Sequence, residues 1–368
     1  MEKKVVNKED LYYKVSEMVP VSAKEDFRQN VRDNLKNYVN QVKQLDDADK
    51  PDTWDALLSR LDQLCDAINR AIDNEYKGLR HSAYSAIKNQ LDGYKTKSSK
   101  IDGLAYDRNI LTIPAESISY RMRIVPLEEQ KRLAEKDLFH IPLDKRTLVT
   151  TQRYSVPGYP CLYLAKRVYG CWEEMGRPDF GKTMVSAVKT TLDLNVLDLR
   201  VPTKKIWHDD FERCVLFFPL VIASMVQVKN NTDPYKPEYT IPQILTEWII
   251  AHNREKGCKG GPIIGIVYTS AQKNKDFDYP DDSNDNYAIP VISSLNRKKY
   301  CTRLKSFFKL TKPTYYDLEV LRHGGYNINS GDFSISEDER IKQENINLSP
   351  FGQMEKYLNS YDFKEIVE

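Results

Sequence analysis

The hydrophobic period of this chain changes once, near residue 110, and that change constrains the fold more than any other feature. Before it, apolar residues recur at helical spacing. Phe27, Val31, Leu35, Tyr38, Val42 and Leu45 form one stripe, and Trp54, Leu57, Leu58, Leu61, Leu64, Cys65, Ile68 and Ile72 form a second. Ser22 and Glu25 have the spacing of a capping box ahead of the first stripe, Pro51-Asp52 opens the second, and a third helix is predicted over 81–91. After residue 110 the runs become short and strand-like, at 118–124, 148–151, 161–164, 196–199, 263–268 and 287–291. Helical runs at 128–136, 169–174, 210–228 and 242–254 separate them, with Pro and Gly at the joints. The mixture predicts an α+β fold preceded by helices. The boundaries read as a helical N-terminal domain over 1–95, a Lys-rich linker over 96–112, a mixed domain over 113–325 and a polar tail over 326–368.

Charge and cysteine usage remove several function classes. The formal charge is only +2, from 55 basic and 53 acidic residues, so no global field recruits nucleic acid or anionic lipid. The six cysteines are scattered without a CxxC pair. That suits reduced thiols in the cytoplasm and leaves no Cys or His at zinc-ligand spacing, so no metal is expected. The longest apolar run, 214–228, is interrupted by Pro219. It falls short of the about 20 residues a membrane span needs and reads as a buried helix. The first residues, Met1-Glu2-Lys3-Lys4, lead into a polar stretch and do not read as a signal peptide.

The stretch from Arg153 to Glu174 carries the densest chemistry. An arginine and a Pro157-Gly158 turn lead into a short strand ending in Tyr163-Leu164-Ala165, and a helix follows that places Glu174 eleven residues after Tyr163. Such a layout holds a cation, an aromatic plate and an anion around one small charged ligand. It has company along the chain. Tyr120-Arg121-Met122-Arg123 lies ahead of it, and Gly265-Ile266-Val267-Tyr268-Thr269-Ser270 follows, preceded by the helical 241–249 run. Four blocks in this order over residues 115–295 resemble the RES domain, a family named for an arginine, a glutamate and a serine. The chain departs from that family's pattern at Gln152, Tyr154 and Ser155 around the second arginine, and at Met122 after the first, which makes Arg123 a competitor of Arg121.

The resemblance implies an ADP-ribosyltransferase-like fold and an enzyme that consumes NAD+ without a metal. Cleavage of the nicotinamide–ribose bond passes through an oxocarbenium-like state, which a carboxylate stabilises. Glu174 is assigned that role. Arg121 and Arg153 would clamp the pyrophosphate, because a guanidinium fork matches phosphate oxygens in a bidentate way. Tyr163 would stack on the nicotinamide or wall the ribose, and Ser270 would hydrogen-bond the ribose or the nicotinamide amide. Members of the family act as growth-arresting toxins held silent by an antitoxin. An antitoxin or regulatory protein is therefore an expected partner, with the helical front segment as a candidate inhibitor in cis, and an oligomer is compatible with the sequence. Transfer of ADP-ribose to a protein or nucleic acid would use the same residues. A non-catalytic partner-binding protein is the reading from another class.

Five further signals point to structure more than chemistry. His140 reads as a satisfied core or loop histidine, and Glu173 as a solvated neighbour of Glu174. Arg80 and His81 are adjacent and point apart, which disfavours a ribonuclease pair on one helix face. The basic-aromatic run 297–312 reads as a strand with a solvated basic face, so nucleic acid is disfavoured as a partner. The acidic cluster Asp276, Asp278, Asp281, Asp282 and Asp285 lacks the glycine and glutamate of an EF-hand loop.

Overall fold

The computed structural model describes residues 5–95, 100–104, 109–130, 132–254, 262–271, 285–292, 299–322 and 349–367. Its main helices are α1 (Lys8–Ser16), α2 (Phe27–Val42), α3 (Trp54–Tyr76), α4 (Arg80–Asp92), α5 (Val168–Glu174), α6 (Lys204–Asp209), α7 (Phe211–Ser224), α8 (Thr240–His252), α9 (Thr302–Phe307), α10 (Tyr316–Arg322) and α11 (Pro350–Asn359). Its strands are β1 (Gly93–Lys95), β2 (Lys100–Asp102), β3 (Ile110–Ile113), β4 (Ile118–Ile124), β5 (Cys161–Ala165), β6 (Thr183–Thr190), β7 (Leu194–Leu199), β8 (Ile263–Thr269), β9 (Asp285–Pro290) and β10 (Phe308–Leu310). The fold is α+β with helices leading. None of the helices among the described residues is long and apolar enough to cross a membrane.

Two compact units emerge, and they divide the chain differently from the expected linker at 96–112. The first comprises Met1–Leu111, Thr151–Val156 and Asn195–Ala271. The second comprises Thr112–Thr150, Pro157–Leu194 and Gln272–Glu368. The reason for the first grouping is apolar. The leading helices contact α7 and α8, which come from residues far along the chain. Helix α7 is apolar on all sides, and from Cys214 to Ser224 every residue is buried. A helix of that kind is stable only when other elements enclose it. Pro219 sits inside it and cannot donate to the carbonyl of Val215, one turn earlier. The Tyr38 hydroxyl of α2 donates to that carbonyl at 2.7 Å and so satisfies a buried acceptor.

The other leading helices are tied in by charge. Arg32 of α2 reaches Asp73 of α3 at 2.5 Å. Arg80 of α4 pairs with Glu247 of α8 at 2.9 Å and with Glu75 at 3.0 Å, and the Trp248 indole N–H donates to Asp92 at 2.7 Å. Asp26, rather than the expected Ser22, caps α2, accepting from the Gln29 N–H. The side chain one residue before the first helical turn has the shorter reach to the free N–H groups. Strands β7 and β8 run parallel in this unit, and β3, which crosses its boundary, lies beside β7.

In the second unit five strands follow the order β10-β6-β4-β5-β9, with antiparallel neighbours. Strand β6, absent from the sequence reading, pairs with β4 over seven residues. Tyr120 and Met122 of β4, Val185 and Ala187 of β6 and Ala165 of β5 face one apolar core shared with Val168, Tyr169 and Cys171 of α5. In place of the expected polar tail, α11 enters that core with Phe351, Met354 and Leu358, all buried. Their i, i+3, i+7 spacing makes one helical stripe that needs a cover. The expected strand at 148–151 does not form: Leu148 closes short helical turns over Leu143–Leu148, and 149–151 run on without regular structure. The basic run keeps its aromatics inside. Tyr300, Phe307 and Phe308 are buried around α9 and β10, and residues 293–298 lie outside the described residues.

Candidate functional site

Arg121, Tyr163 and Glu174 belong to the second unit, and each is placed by regular structure. Arg121 is central in β4. Alternation along the strand turns it away from the core face of Tyr120 and Met122. Its Nη1 donates to the Tyr163 carbonyl of β5 at 2.8 Å. Its Nε is buried without a hydrogen-bond partner, and Arg121 makes no ion pair among the described residues. Burial, reinforced by Arg123, pushes the guanidinium below its ordinary pKa. Arg123, the competitor for its role, is exposed and donates to the Asp137 carbonyl at 3.0 Å. Neither arginine pairs with a carboxylate among the described residues, and Arg121 is the more enclosed of the two.

Tyr163 is half-buried and sits opposite Ala288 of β9. Two positions along, Ala165 sits opposite Asn286. The Asn286 amide, itself buried, donates to the Glu174 carboxylate at 3.1 Å. Arg121, Tyr163 and Asn286 thus occupy three consecutive strands, and Glu174 is fastened to the third. The two glutamates of α5 differ from the sequence expectation. Glu173 is the buried one, accepting from the Tyr169 hydroxyl at 2.9 Å and from Arg177 at 2.7 Å, so it is a structural ion pair and no solvated neighbour. Glu174 is half-buried. A second buried carboxylate, Glu319, accepts from Thr314, Tyr361 and Arg322 and is engaged in holding α10.

His140 behaves as a satisfied core histidine. Its Nε2 accepts from the Cys301 N–H at 2.9 Å, which leaves the proton on Nδ1 to face the Ile141 carbonyl at 2.8 Å. Burial, with a contribution from the Arg121 charge, lowers its pKa to about 4.

Arg153 and Ser270 belong to the first unit. Arg153 Nη1 donates to two carbonyls at the end of α7, that of its last residue Ser224 at 2.7 Å and that of Val226 just beyond at 3.0 Å, and its guanidinium lies 5.2 Å from the Tyr239 ring centre. A cation there is favoured by the helix dipole, so this arginine has a structural task whatever else it does. The loop that carries it is pinned by Gln243 of α8, whose amide donates to Thr151, Gln152 and Ser155 at 3.0 to 3.1 Å. Tyr154, one of the departures from the family pattern, is buried against Tyr268, with ring centres 4.5 Å apart. Ser270 directly follows β8 and is buried. In the second unit, Gly158 adopts φ +76°, the left-handed conformation that the Pro-Gly turn requires.

Sequence reasoning missed Asn286 and Gln243. A strand begun at 287 left Asn286 in the acid-rich loop, of which only Asp285 lies among the described residues. Extending the β-period back by two residues would have found it. Gln243 falls on the recognised helix but carries no local signal, because its three partners lie about 90 residues away.

Comparison with curated proteins finds the chain 30% identical over 275 residues to a protein of Bacillus subtilis (strain 168) named "Putative toxin YopC". The match covers 71% of this chain and 60% of that protein, so the chain spans about three fifths of the relative's length. No family model matches the chain, and no solved structure matches it.

Proposed function

We propose that this chain is a toxin of the RES type that consumes NAD+ by cleaving the nicotinamide–ribose bond. The observation that carries the reading is Arg121, half-buried with an enclosed Nε and no ion-pair partner among the described residues, on a strand separated by β5 alone from the one that fastens Glu174. A guanidinium with an enclosed, unbonded N–H is costly to a fold, and an anionic ligand such as a pyrophosphate offsets that cost. The likeness to a protein named as a toxin supports the physiological half of the reading.

In this mechanism Arg121 holds phosphate oxygens by its fork. Tyr163 walls the ribose end. Glu174, oriented by the Asn286 amide, faces the ribose and stabilises positive charge as the glycosidic C–N bond breaks. The electron pair leaves with nicotinamide. Water or phosphate then adds to the ribose carbon, and its proton is released, giving ADP-ribose or its phosphate. The motif resemblance implies ligand roles for Arg153 and Ser270 as well, both in the first unit, and no step of this mechanism uses them.

The experiment is NAD+ consumption by the purified full chain beside Glu174→Gln and Arg121→Lys. Wild type is expected to deplete NAD+. Glu174→Gln should lose turnover by about a hundredfold or more, as removal of a charge-stabilising group does. Arg121→Lys should raise KM, because a point charge replaces a fork. Equal loss of NAD+ in wild type and Glu174→Gln refutes the proposal. Labelled adenylate appearing on macromolecules would replace hydrolysis by ADP-ribosyl transfer.

A further inference from the structure

Helix α5 presents Glu174 but cannot stabilise itself. It has seven residues, and isolated helices below about 12 residues are marginal in water. Its N-cap position is Arg167, which supplies no side-chain cap. The missing cap comes from far along the chain. Glu355 of α11 accepts from the Val168 N–H at 2.8 Å, and its two oxygens lie 3.1 and 2.8 Å from Arg167 Nε. The carboxylate is itself buried. Around it, α11 packs directly on α5. Phe351 meets Tyr169 edge-on with ring centres 5.3 Å apart and touches Trp172 at the same separation. The Tyr120 hydroxyl of β4 donates to Asn359 at 2.9 Å and fixes the far end of α11.

We propose that Glu355 is a positioning residue for the Glu174 site: from α11 it caps α5 and sets the angle and register at which that helix presents Glu174. This rests on the reading of Glu174 given above. The carboxylate suits the task because it meets both a free backbone N–H and the positive end of the helix dipole. Arg167 completes the charge pairing. Glu174 lies six residues beyond the capped N–H, about 9 Å at the rise of an α-helix. Fraying of the first turn therefore tilts the whole helix. Displacement of a catalytic group by about 1 Å costs about a hundredfold in rate.

The test compares wild type, Glu355→Ala and Glu355→Gln, read by amide hydrogen exchange and by NAD+ turnover. Glu355→Ala should raise exchange of the 168–171 amides about tenfold, the effect of a lost cap. The β6 amides should stay protected, kcat should fall about tenfold to a hundredfold, and KM should hold. Glu355→Gln keeps an acceptor for the Val168 N–H and should fall between the two. If Glu355→Ala does not fold, Glu355→Gln, which fills the same volume, carries the same comparison against wild type. Unchanged exchange in α5, or exchange raised equally across β4 and β6, overturns the proposal. A wild type without NAD+ turnover overturns the preceding reading instead, while exchange confined to α5 still assigns the cap to Glu355.

Discussion

Protonation of His140 should unlatch part of the second unit, and the size of the effect follows from its surroundings. Nε2 accepts from the Cys301 N–H. A second proton would sit on that nitrogen, facing a donor it cannot bond. The ring is also buried beside Phe139 and Tyr300, with the Arg121 charge nearby. Burial first, and Arg121 in addition, lower its pKa from 6.5 to about 4, while the Ile141 carbonyl opposes the shift. The unfolded chain binds this proton more tightly than the folded one, so stability rises with pH through that window and is lost as pH falls from 6.5 towards 4. At 1.36 kcal/mol per pKa unit the loss approaches about 3 kcal/mol by about pH 4. The assay pairs a proton NMR titration of the imidazole with urea unfolding of wild type and His140→Gln at about pH 7 and about pH 4. Wild type should lose about 3 kcal/mol more than the variant across that interval. An imidazole that titrates near the ordinary value of 6.5, or equal losses in the two proteins, refutes the reasoning.

Two other outcomes follow from the first unit. Tyr38→Phe removes the donor to the Val215 carbonyl left open by Pro219 and should cost about 1–3 kcal/mol, read by urea unfolding, with no change in NAD+ turnover. Arg153→Ala should lower the melting temperature through lost contacts at the end of α7. If the arginine also binds phosphate, KM for NAD+ rises several-fold, whereas an unchanged KM leaves it a helix-terminal cation alone.

Much of the fold was legible because it depends on local period. The two stripes ahead of residue 110 became α2 and α3, the helix expected over 81–91 became α4, and the 118–124 run became β4 with the same bounds. The failures share one cause, which is dependence on distant partners. Strand β6 reads Thr-Met-Val-Ser-Ala-Val-Lys-Thr, and its Ser and Ala are buried because β4 and α11 enclose them. Helix α11 looks polar until its stripe of Phe351, Met354 and Leu358 meets the α5 core. The site divided in the same way. Glu174 was singled out by its spacing to Tyr163, but which glutamate of the pair is buried turned on Arg177 and Tyr169, and on Asn286 from β9. Arg153 showed its chemistry in sequence but not its occupation, since two backbone carbonyls near 225 take its hydrogen bonds.

The carbonyl opened by Pro219 and closed by Tyr38 makes the first and third quarters of the chain mutually obligatory. A version shortened to begin near residue 110 would bare the flank of α7 that α2 and α3 enclose. It should therefore precipitate rather than gain potency. A brake built from those leading helices could not work by being clipped away. Any control they exert must act with them still in place.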